Sequence, residues 1–196
     1  MRRVAPVVWI PGMGYETGAP TSVCGNMEPE HKGVTPQTNA SPYTIAVSNS
    51  TFQTGKPITV VIGGSNYKGV LLQARSASSK EALGTWGTTP ANTKYLQCSG
   101  IAQGAITHSN SNTKNNLTVF TWNPPSTTNS IYFVATIAKD ANVYWLNVKS
   151  EMLTRGENYF TKQKVLMNLI SKCIVIHWQK HRNKTPVQHN KGFTLH

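Results

Sequence analysis

The sequence predicts an all-β sandwich that fills one domain and is followed by a basic tail. Between residues 43 and 149, short apolar runs rich in β-branched and aromatic residues alternate with clusters of Gly, Pro, Asn and Ser. This spacing is typical of a sandwich. The length of 196 residues leaves room for one ordinary domain and a tail. No helical periodicity of useful length occurs before residue 150.

Seven segments are predicted to be strands, because β-branched and aromatic residues dominate them. The first alternates apolar and polar residues, and the second follows a Gly55-Lys56 turn. Pro124-Pro125 and the polar residues after them form a loop that cannot be strand. The predicted strands are 43–47, 57–62, 69–75, 94–98, 117–122, 131–137 and 143–148.

The positive charge is unevenly distributed along the chain. Lys and Arg number 19 against 7 Asp and Glu, which gives a formal net charge of +12, and half of that excess lies in residues 151–196. Apolar residues between 158 and 181 are scattered among lysines, so helix and disorder both remain open for the tail at 150–196, with 181–196 expected to be disordered. Nucleic acid and anionic membrane are possible partners of such a tail, but a solvated tail is more common, and no nucleic-acid partner is expected.

The N-terminal residues 1–14 form an atypical segment before the domain. Arg2 and Arg3 precede a short apolar stretch that Pro6 and Pro11 interrupt, which makes it a damaged secretory signal at best. No segment approaches the roughly 20 apolar residues of a membrane-spanning helix. The mean hydropathy of -0.33 excludes a polytopic membrane protein.

Three cysteines stand at Cys24, Cys98 and Cys173, without CxxC or CxxH spacing. A closed metal site is therefore not expected. In a secreted protein an odd count means one pair and one leftover, and Cys173 lies in the tail. We expect a Cys24–Cys98 disulfide, with two buried free thiols as the alternative.

Glycosylation sequons add a second indication of an extracellular protein. Asn-x-Ser/Thr occurs at Asn39, Asn49, Asn116 and Asn183, and the middle residue is never Pro. A chain rich in Asn, Ser and Thr produces some sequons by chance. The first three, which lie in the predicted domain, are the glycosylation candidates.

Blocks of sequence over residues 15–149 resemble the reeler (reelin-type) domain in the order of that family. The most specific is the run Gly69-Val-Leu-Leu-Gln-Ala-Arg75, which Tyr67 precedes. Any one block is weak evidence, whereas the ordered set is specific. The blocks are 18–20, 24–31, 36–37, 41–43, 67–75, 84–86, 96–98, 107–109, 120–125 and 133–136, with Lys114.

This resemblance implies an immunoglobulin-like antiparallel sandwich of the reeler type, in which Cys24 and Cys98 match the two motif cysteines. The family includes secreted defence proteins of insects and the first module of ferric-chelate reductase-like membrane proteins, where DOMON and haem domains follow. Residues 36–43 look closer to the second group. No DOMON-like or haem-ligand segment follows Ser150, so we expect a truncated or alternatively spliced product without reductase chemistry.

No residues with the spacing of a catalytic site stand out. Ser109 follows His108 directly, and adjacent strand residues point to opposite faces, so the two do not form a nucleophile–base pair. His108 is expected to be a strand-end histidine that makes a hydrogen bond. His31, beside Glu28 and Glu30, is the one residue that could join His108 at a metal, although structural hydrogen bonding is favoured. No catalytic residue, cofactor or metal is therefore predicted.

A ligand surface is predicted at aromatic residues beside the Gly-rich turns. Tyr67 and Trp86 are expected to be partly exposed there, with Lys68, Arg75 and Lys94 as charged neighbours. Most other aromatics, with Trp122 foremost, are expected in the core.

These observations favour a non-catalytic extracellular recognition or structural module. The alternative is a secreted innate-defence protein whose basic surface binds anionic microbial envelopes. A third option is a module that covers a haem domain on another chain. Protein, glycan and anionic microbial surface all remain open as partners.

Overall fold

The computed structural model describes residues 15–29, 33–156 and 159–182, and it divides the chain into two compact units after Gly156. Among these described residues, the first unit contains eleven strands and a 3₁₀ turn at Thr21–Val23. The strands are β1 (Tyr43–Val47), β2 (Thr51–Phe52), β3 (Ile58–Gly64), β4 (Gly69–Arg75), β5 (Thr85–Trp86), β6 (Thr93–Cys98), β7 (Ile101–His108), β8 (Val119–Asn123), β9 (Ser130–Ala138), β10 (Tyr144–Lys149) and β11 (Leu153–Arg155).

The strands form two sheets, which confirms the predicted all-β sandwich. The smaller sheet has the order β1-β3-β8-β5. The larger sheet has seven strands in the order β2-β11-β9-β4-β7-β6, and β10 also pairs with β9. Within the described residues all pairings are antiparallel except that of β11 with β2.

The main core lies between the two sheets and is centred on Trp122. This side chain is fully buried, as the sequence predicts. Its ring stands perpendicular to that of Phe133, with the centroids 5.3 Å apart, and packs edge-on against Phe52. The indole Nε1 donates a hydrogen bond of 2.8 Å to the carbonyl of Leu83. The core is thus fixed by ring geometry and by a satisfied polar atom.

All seven predicted strands are present: 43–47 and 69–75 have the predicted bounds, and the other five have ends shifted by at most two residues. Four further strands accompany them. Strands β2 and β5 have two residues each, which is too short for a periodic signal. Strand β11 lies beyond the expected domain end at residue 149, and it pairs with both β9 and β2. The sandwich therefore extends to Arg155. The fourth, β7, has eight residues.

Strand β4 is buried on both faces. Val70, Leu72 and Ala74 point into the main core, whereas Leu71 packs in a second apolar cluster on the other side. That second side, the outer face of the larger sheet, is covered by residues 15–29, which we call the covering segment. A strand with both faces covered has a near-continuous apolar sequence, which agrees with the run at 69–75.

The second unit contains helix α1 (Tyr159–Arg182), so the expectation of disorder over 181–196 is wrong for its first two residues. Residues 183–196 lie outside the described residues, as do residues 1–14. The helix contains five Lys or Arg and no Asp or Glu. Among the described residues, no helix is apolar over a length that would traverse a bilayer. Within the described side chains of α1, the large exposed apolar ones are Leu166, Met167, Leu169, Ile170, Ile174, Val175, Ile176 and Trp178.

Candidate ligand-binding site

A disulfide joins the covering segment to the larger sheet. It links Cys24, directly after the 3₁₀ turn, to Cys98 at the end of β6, with the Cα atoms 5.6 Å apart. Cys173 is a free, exposed thiol on α1. The covering segment is thus covalently attached near its middle.

Two buried polar side chains of β4 hold the backbone of the same segment. The Arg75 guanidinium donates to the carbonyls of Cys24, at 2.5 Å, and Gly25, at 3.2 Å, and to the Gln73 amide oxygen at 2.9 Å. The Gln73 amide nitrogen donates to the Cys24 carbonyl at 3.0 Å. Burial lowers the pKa of Arg75. The expectation that Arg75 belongs to a ligand surface is therefore wrong: the side chain is only 5% exposed and is engaged with the segment.

Hydrogen bonds from β7 and β9 fix the rest of the segment. The Thr136 hydroxyl donates to the Met27 carbonyl at 2.6 Å. The Thr107 hydroxyl accepts from the Ala19 N–H at 2.9 Å and donates to the Val70 carbonyl at 2.9 Å. These bonds satisfy backbone groups that would otherwise be buried without a partner.

A cavity of about 370 Å³ lies between the covering segment and the outer face. Strand pairing places Leu71 opposite Thr136, and next to them Gly69 opposite Ala138. Gly69 has no side chain and Ala138 has only a methyl group, so this pair leaves space between the sheet and the covering segment. A Cβ atom on Gly69 would lie 3.1 Å from that methyl group. The volume is in the range of small-molecule sites, about 300 to 1,000 Å³.

The floor of the cavity is apolar and its rim is polar. Rim residues come from the segment, from the loop after β7 and from the β9–β10 turn. In that turn the Asp140 carboxylate accepts a hydrogen bond of 2.9 Å from the Asn142 N–H. The apolar lining includes Ala19, Val23, Met27, Val70, Leu71 and Ala138, and the polar lining includes Glu16, Glu28, Lys68, His108, Ser111, Asp140 and Asn142.

Carboxylates dominate the charge around the cavity. Its lining holds Glu16, Glu28 and Asp140, three of the seven acidic residues of the chain, whereas Lys68 is the only Lys or Arg that the described residues contribute to it. These carboxylates also affect neighbouring phenols. The pKa of Tyr43 is raised, mainly by burial and in addition by the charge of Asp140. The pKa of Tyr144 is likewise raised, mainly by burial and in addition by the charge of Glu28. The local charge is therefore opposite in sign to that of the whole chain.

His108 lies at the end of β7, and both of its ring nitrogens face backbone groups. Its Nε2 lies 2.6 Å from the Tyr15 carbonyl, and its Nδ1 lies 3.2 Å from the Val70 N–H. Nδ1 also lies 3.2 Å from the Val70 carbonyl oxygen. The Tyr15 carbonyl can only accept, so Nε2 carries a proton. Burial lowers the pKa of His108, with Lys114 and Lys94 acting in the same direction. The predicted hydrogen-bonding histidine is confirmed.

Lys114 is a buried cation that the sequence does not single out as functional. Its side chain is only 2% exposed. The ammonium donates to the carbonyls of Lys68, Asn112 and Asn110 at 2.7, 2.8 and 3.2 Å. Burial lowers the pKa of Lys114 to about 8. The ammonium thus connects the loop after β7 to the backbone of Lys68, a residue that lines the cavity.

The two aromatics of the predicted ligand surface are also buried, so that expectation is wrong. Tyr67 and Trp86 are each 1% exposed. The Tyr67 ring packs edge-on against Tyr43, and the Trp86 ring packs against Phe133. Turn glycines beside these residues do not expose them, because each side chain points inward from its strand or bridge.

The two lysines of that predicted surface are exposed, and only one of them reaches the cavity. Lys68 lines the cavity, whereas Lys94 does not. The sequence therefore identifies one rim residue and misses the carboxylates, which lie far apart along the chain.

Other predicted sites fall outside the cavity. Asn39, Asn49 and Asn116 are exposed, so their glycosylation stays a prediction. Glu30 and His31 lie outside the described residues. Among the residues that the structure describes, no cluster of three or more His, Cys, Asp or Glu could hold a metal ion.

The fold and the site define an immunoglobulin-like sandwich with a disulfide-attached covering segment and an apolar cavity. The Reeler domain family model matches residues 22–159. The chain belongs to the Reeler domain family.

Two kinds of relatives share this domain. The chain is 40% identical over 144 residues to "Putative defense protein Hdd11" of Hyphantria cunea, covering 70% of this chain and 86% of that protein. It is 33% identical over 145 residues to "Ferric-chelate reductase 1" of Bos taurus, covering 72% of this chain and 24% of that protein. The chain therefore spans about a quarter of the reductases it matches.

A solved structure shares the fold. "The crystal structure of Reelin-N domain of F-spondin" matches with a TM-score of 0.50 and 17% identity, covering 63% of this chain and 93% of that one. At this identity the likeness concerns the fold alone.

Proposed function

We propose that this chain is a non-catalytic extracellular recognition module that binds a small ligand with an apolar part in the cavity beneath the covering segment. The observation that carries this proposal is the Gly69–Ala138 pair, which leaves a space with an apolar floor and a polar rim. Pockets of this size and lining are the usual location of small-molecule binding.

The disulfide supports the extracellular part of the proposal. Disulfides persist in oxidising compartments and are rare in the cytosol. The Cys24–Cys98 bond attaches one wall of the cavity. The exposed Asn39, Asn49 and Asn116 would be glycosylated in such a compartment. A mass loss on treating the secreted chain with a peptide N-glycosidase, absent from the triple Asn→Gln variant, is expected.

The hydrogen bonds of the basic side chains support the non-catalytic part. Both nitrogens of His108 are engaged by backbone groups, so the ring is not placed to activate Ser109. The Lys114 ammonium donates to three carbonyls. These groups hold loops in place around the cavity.

A titration of the full chain with 1-octanol tests the site. We expect saturable shifts of the backbone amide resonances of Gly69 and Ala138 in nitrogen-labelled protein. In Ala138→Leu the added side chain fills the cavity, so the shifts should disappear. Ala46→Leu, the same change at an exposed position of β1, should leave them unchanged. Shifts that persist in Ala138→Leu, or no shifts in the natural sequence, would contradict the proposal.

A second candidate function, binding to anionic microbial surfaces, is favoured by helix α1. Its exposed apolar side chains lie among lysines, and Lys164, Lys172 and Lys180 are exposed. A cationic helix with an apolar surface binds at the interface of anionic membranes. The defence-protein relative adds support, since the chain matches most of that protein's length.

Vesicle sedimentation tests this second function. The full chain should sediment with phosphatidylglycerol vesicles at low salt and much less with phosphatidylcholine vesicles. Replacing the three lysines with glutamine should release it. Equal binding to both vesicle types, or no loss in the triple variant, would exclude electrostatic recognition by this helix.

A further inference from the structure

We infer that the ligand of the cavity is a cationic amphiphile, with an amine or similar cation at one end of an apolar body. This inference rests on the proposed function, since it takes the cavity as the ligand site. The supporting observation is that three carboxylates line this cavity, although the chain as a whole is basic.

The acidic side chains come to the rim from separate parts of the chain. Glu16 and Glu28 lie towards the two ends of the covering segment, and Asp140 lies in the β9–β10 turn. The Asp140 carboxylate is half-buried and oriented by the Asn142 N–H. The disulfide and hydrogen bonds to its backbone fix the covering segment on the sheet. The positions of Glu16 and Glu28 along the main chain are therefore fixed relative to Asp140, and all three residues line the same cavity.

The cationic groups near the cavity do not cancel these charges. Among the described residues, Lys68 is the only Lys or Arg in the lining, and its side chain is exposed to solvent. Burial lowers the pKa of His108, which disfavours a positive charge on its ring. The Lys114 ammonium is directed at three loop carbonyls. Lys94 and Lys114 lie outside the lining, although both act electrostatically on His108. Within the described lining three carboxylates accompany one ammonium, so a cation at the rim is favoured over an anion.

The floor determines the other end of the ligand. Val23 and Met27 of the covering segment and Leu71 of β4 are buried apolar side chains that line the cavity, and the Gly69–Ala138 pair lies beside Leu71 on the sheet. Such a floor favours an unbranched alkyl or other apolar group. A purely polar cation would leave it without contacts, so both ends are needed.

Three probes with the same alkyl chain separate the two contributions. We expect isothermal titration calorimetry of the full chain to rank n-octylammonium above 1-octanol and 1-octanol above octanoate. The ammonium should bind about 10-fold tighter than the alcohol, because each exposed carboxylate contributes a few-fold at most. The preference should decrease at high salt.

Charge-neutral variants test the role of the rim directly. Glu28→Gln combined with Asp140→Asn should reduce the affinity for n-octylammonium to about that for 1-octanol and leave the affinity for 1-octanol unchanged. Glu81→Gln combined with Glu151→Gln changes the net charge equally at exposed positions outside the lining and serves as the matched control. It should retain the preference.

The outcomes distinguish this inference from the proposed function. If 1-octanol binds in the cavity but n-octylammonium binds no tighter, or if octanoate binds tightest, the cationic ligand is wrong and the cavity remains a ligand site. An equal loss of ammonium preference in the control pair would attribute the effect to net charge and also overturn the inference. If none of the probes binds, the proposed function fails as well.

Discussion

The Arg75 guanidinium donates a 2.5 Å hydrogen bond to the carbonyl of Cys24. A buried cation of β4 thus holds the backbone of the residue whose sulfur is bonded to β6. The disulfide and the hydrogen bonds from β4 therefore hold the covering segment at the same residue, and the Gln-Ala-Arg run of β4 has a structural role in holding the segment.

Replacing Arg75 should destabilise the sandwich. Arg75→Met keeps much of the side-chain length but leaves the carbonyls of Cys24 and Gly25 without this donor, at a cost of about 2 to 4 kcal/mol. Chemical denaturation monitored by tryptophan fluorescence measures the change in the free energy of unfolding. Lys80→Met, at an exposed position, is the control and should change it by less than about 0.5 kcal/mol. Equal stability of the two variants would show that these hydrogen bonds contribute little.

Removing the disulfide should lower stability by a larger amount. The two cysteines are 74 positions apart in sequence. In the chain-entropy model, closing such a loop contributes about 4 kcal/mol. Denaturation of the Cys24→Ser, Cys98→Ser double variant measures this loss. Cys173→Ser removes an exposed free thiol and should leave stability unchanged. Two free thiols at positions 24 and 98, detected by alkylation of the secreted protein, would contradict the bond itself.

Gly18 is expected to be required at its position. Its φ of +109° is unfavourable for other residues, and a Cβ atom there would lie 2.4 Å from the His108 carbonyl oxygen. Gly18→Ala should therefore cost about 2 to 4 kcal/mol in unfolding free energy. Gly25→Ala provides a matched control in the same segment, because its Cβ atom would contact nothing within 4 Å. Similar effects of the two substitutions would argue against close packing of the segment on β7.

The stability of the sandwich should fall in mildly acidic solution because of His108. Burial, Lys114 and Lys94 lower its pKa below the usual 6.5, although hydrogen bonds to Val70 and Tyr15 oppose this. The unfolded chain therefore binds a proton before the folded chain does. The free energy of unfolding should decrease as pH falls through about 6.5, by up to roughly 1.4 kcal/mol per pH unit, and should not depend on His108 above that pH.

His108→Gln provides the comparison for this pH effect. Denaturation midpoints measured from pH 8 to pH 5 should fall less steeply below pH 6.5 in the variant than in the natural sequence. Parallel curves would show that His108 does not contribute to the acid sensitivity.

The sequence predicts the sandwich but not the burial of its second face. The run at 69–75 is recognisable as a strand from its composition alone. Its outer face is covered by a segment without a periodic pattern, so nothing local indicates that Gln73 and Arg75 are buried. The prediction that Tyr67 and Trp86 are partly exposed is wrong because the rings that pack against them belong to distant parts of the chain, which local sequence does not reveal.

Strand β7 and the cavity depend on contacts that local sequence does not reveal. A Cβ atom at Gly104 would lie 2.6 Å from the Cys98 carbonyl oxygen, so the β6–β7 hairpin requires a residue that weakens the strand signal. The cavity depends on the register that pairs Gly69 with Ala138. Register between distant strands is set by the whole fold.

The Gly69–Ala138 pair has a consequence for how related chains diverge. The room in the cavity depends on these two small residues, whereas the charge of its rim depends on side chains of the covering segment and of a turn. For the proposed binding function, we expect substitutions at the rim to change which ligand is preferred without disturbing the sheets. Larger residues at positions 69 and 138 should instead exclude every ligand, so that the capacity to bind and the choice of what is bound depend on different residues.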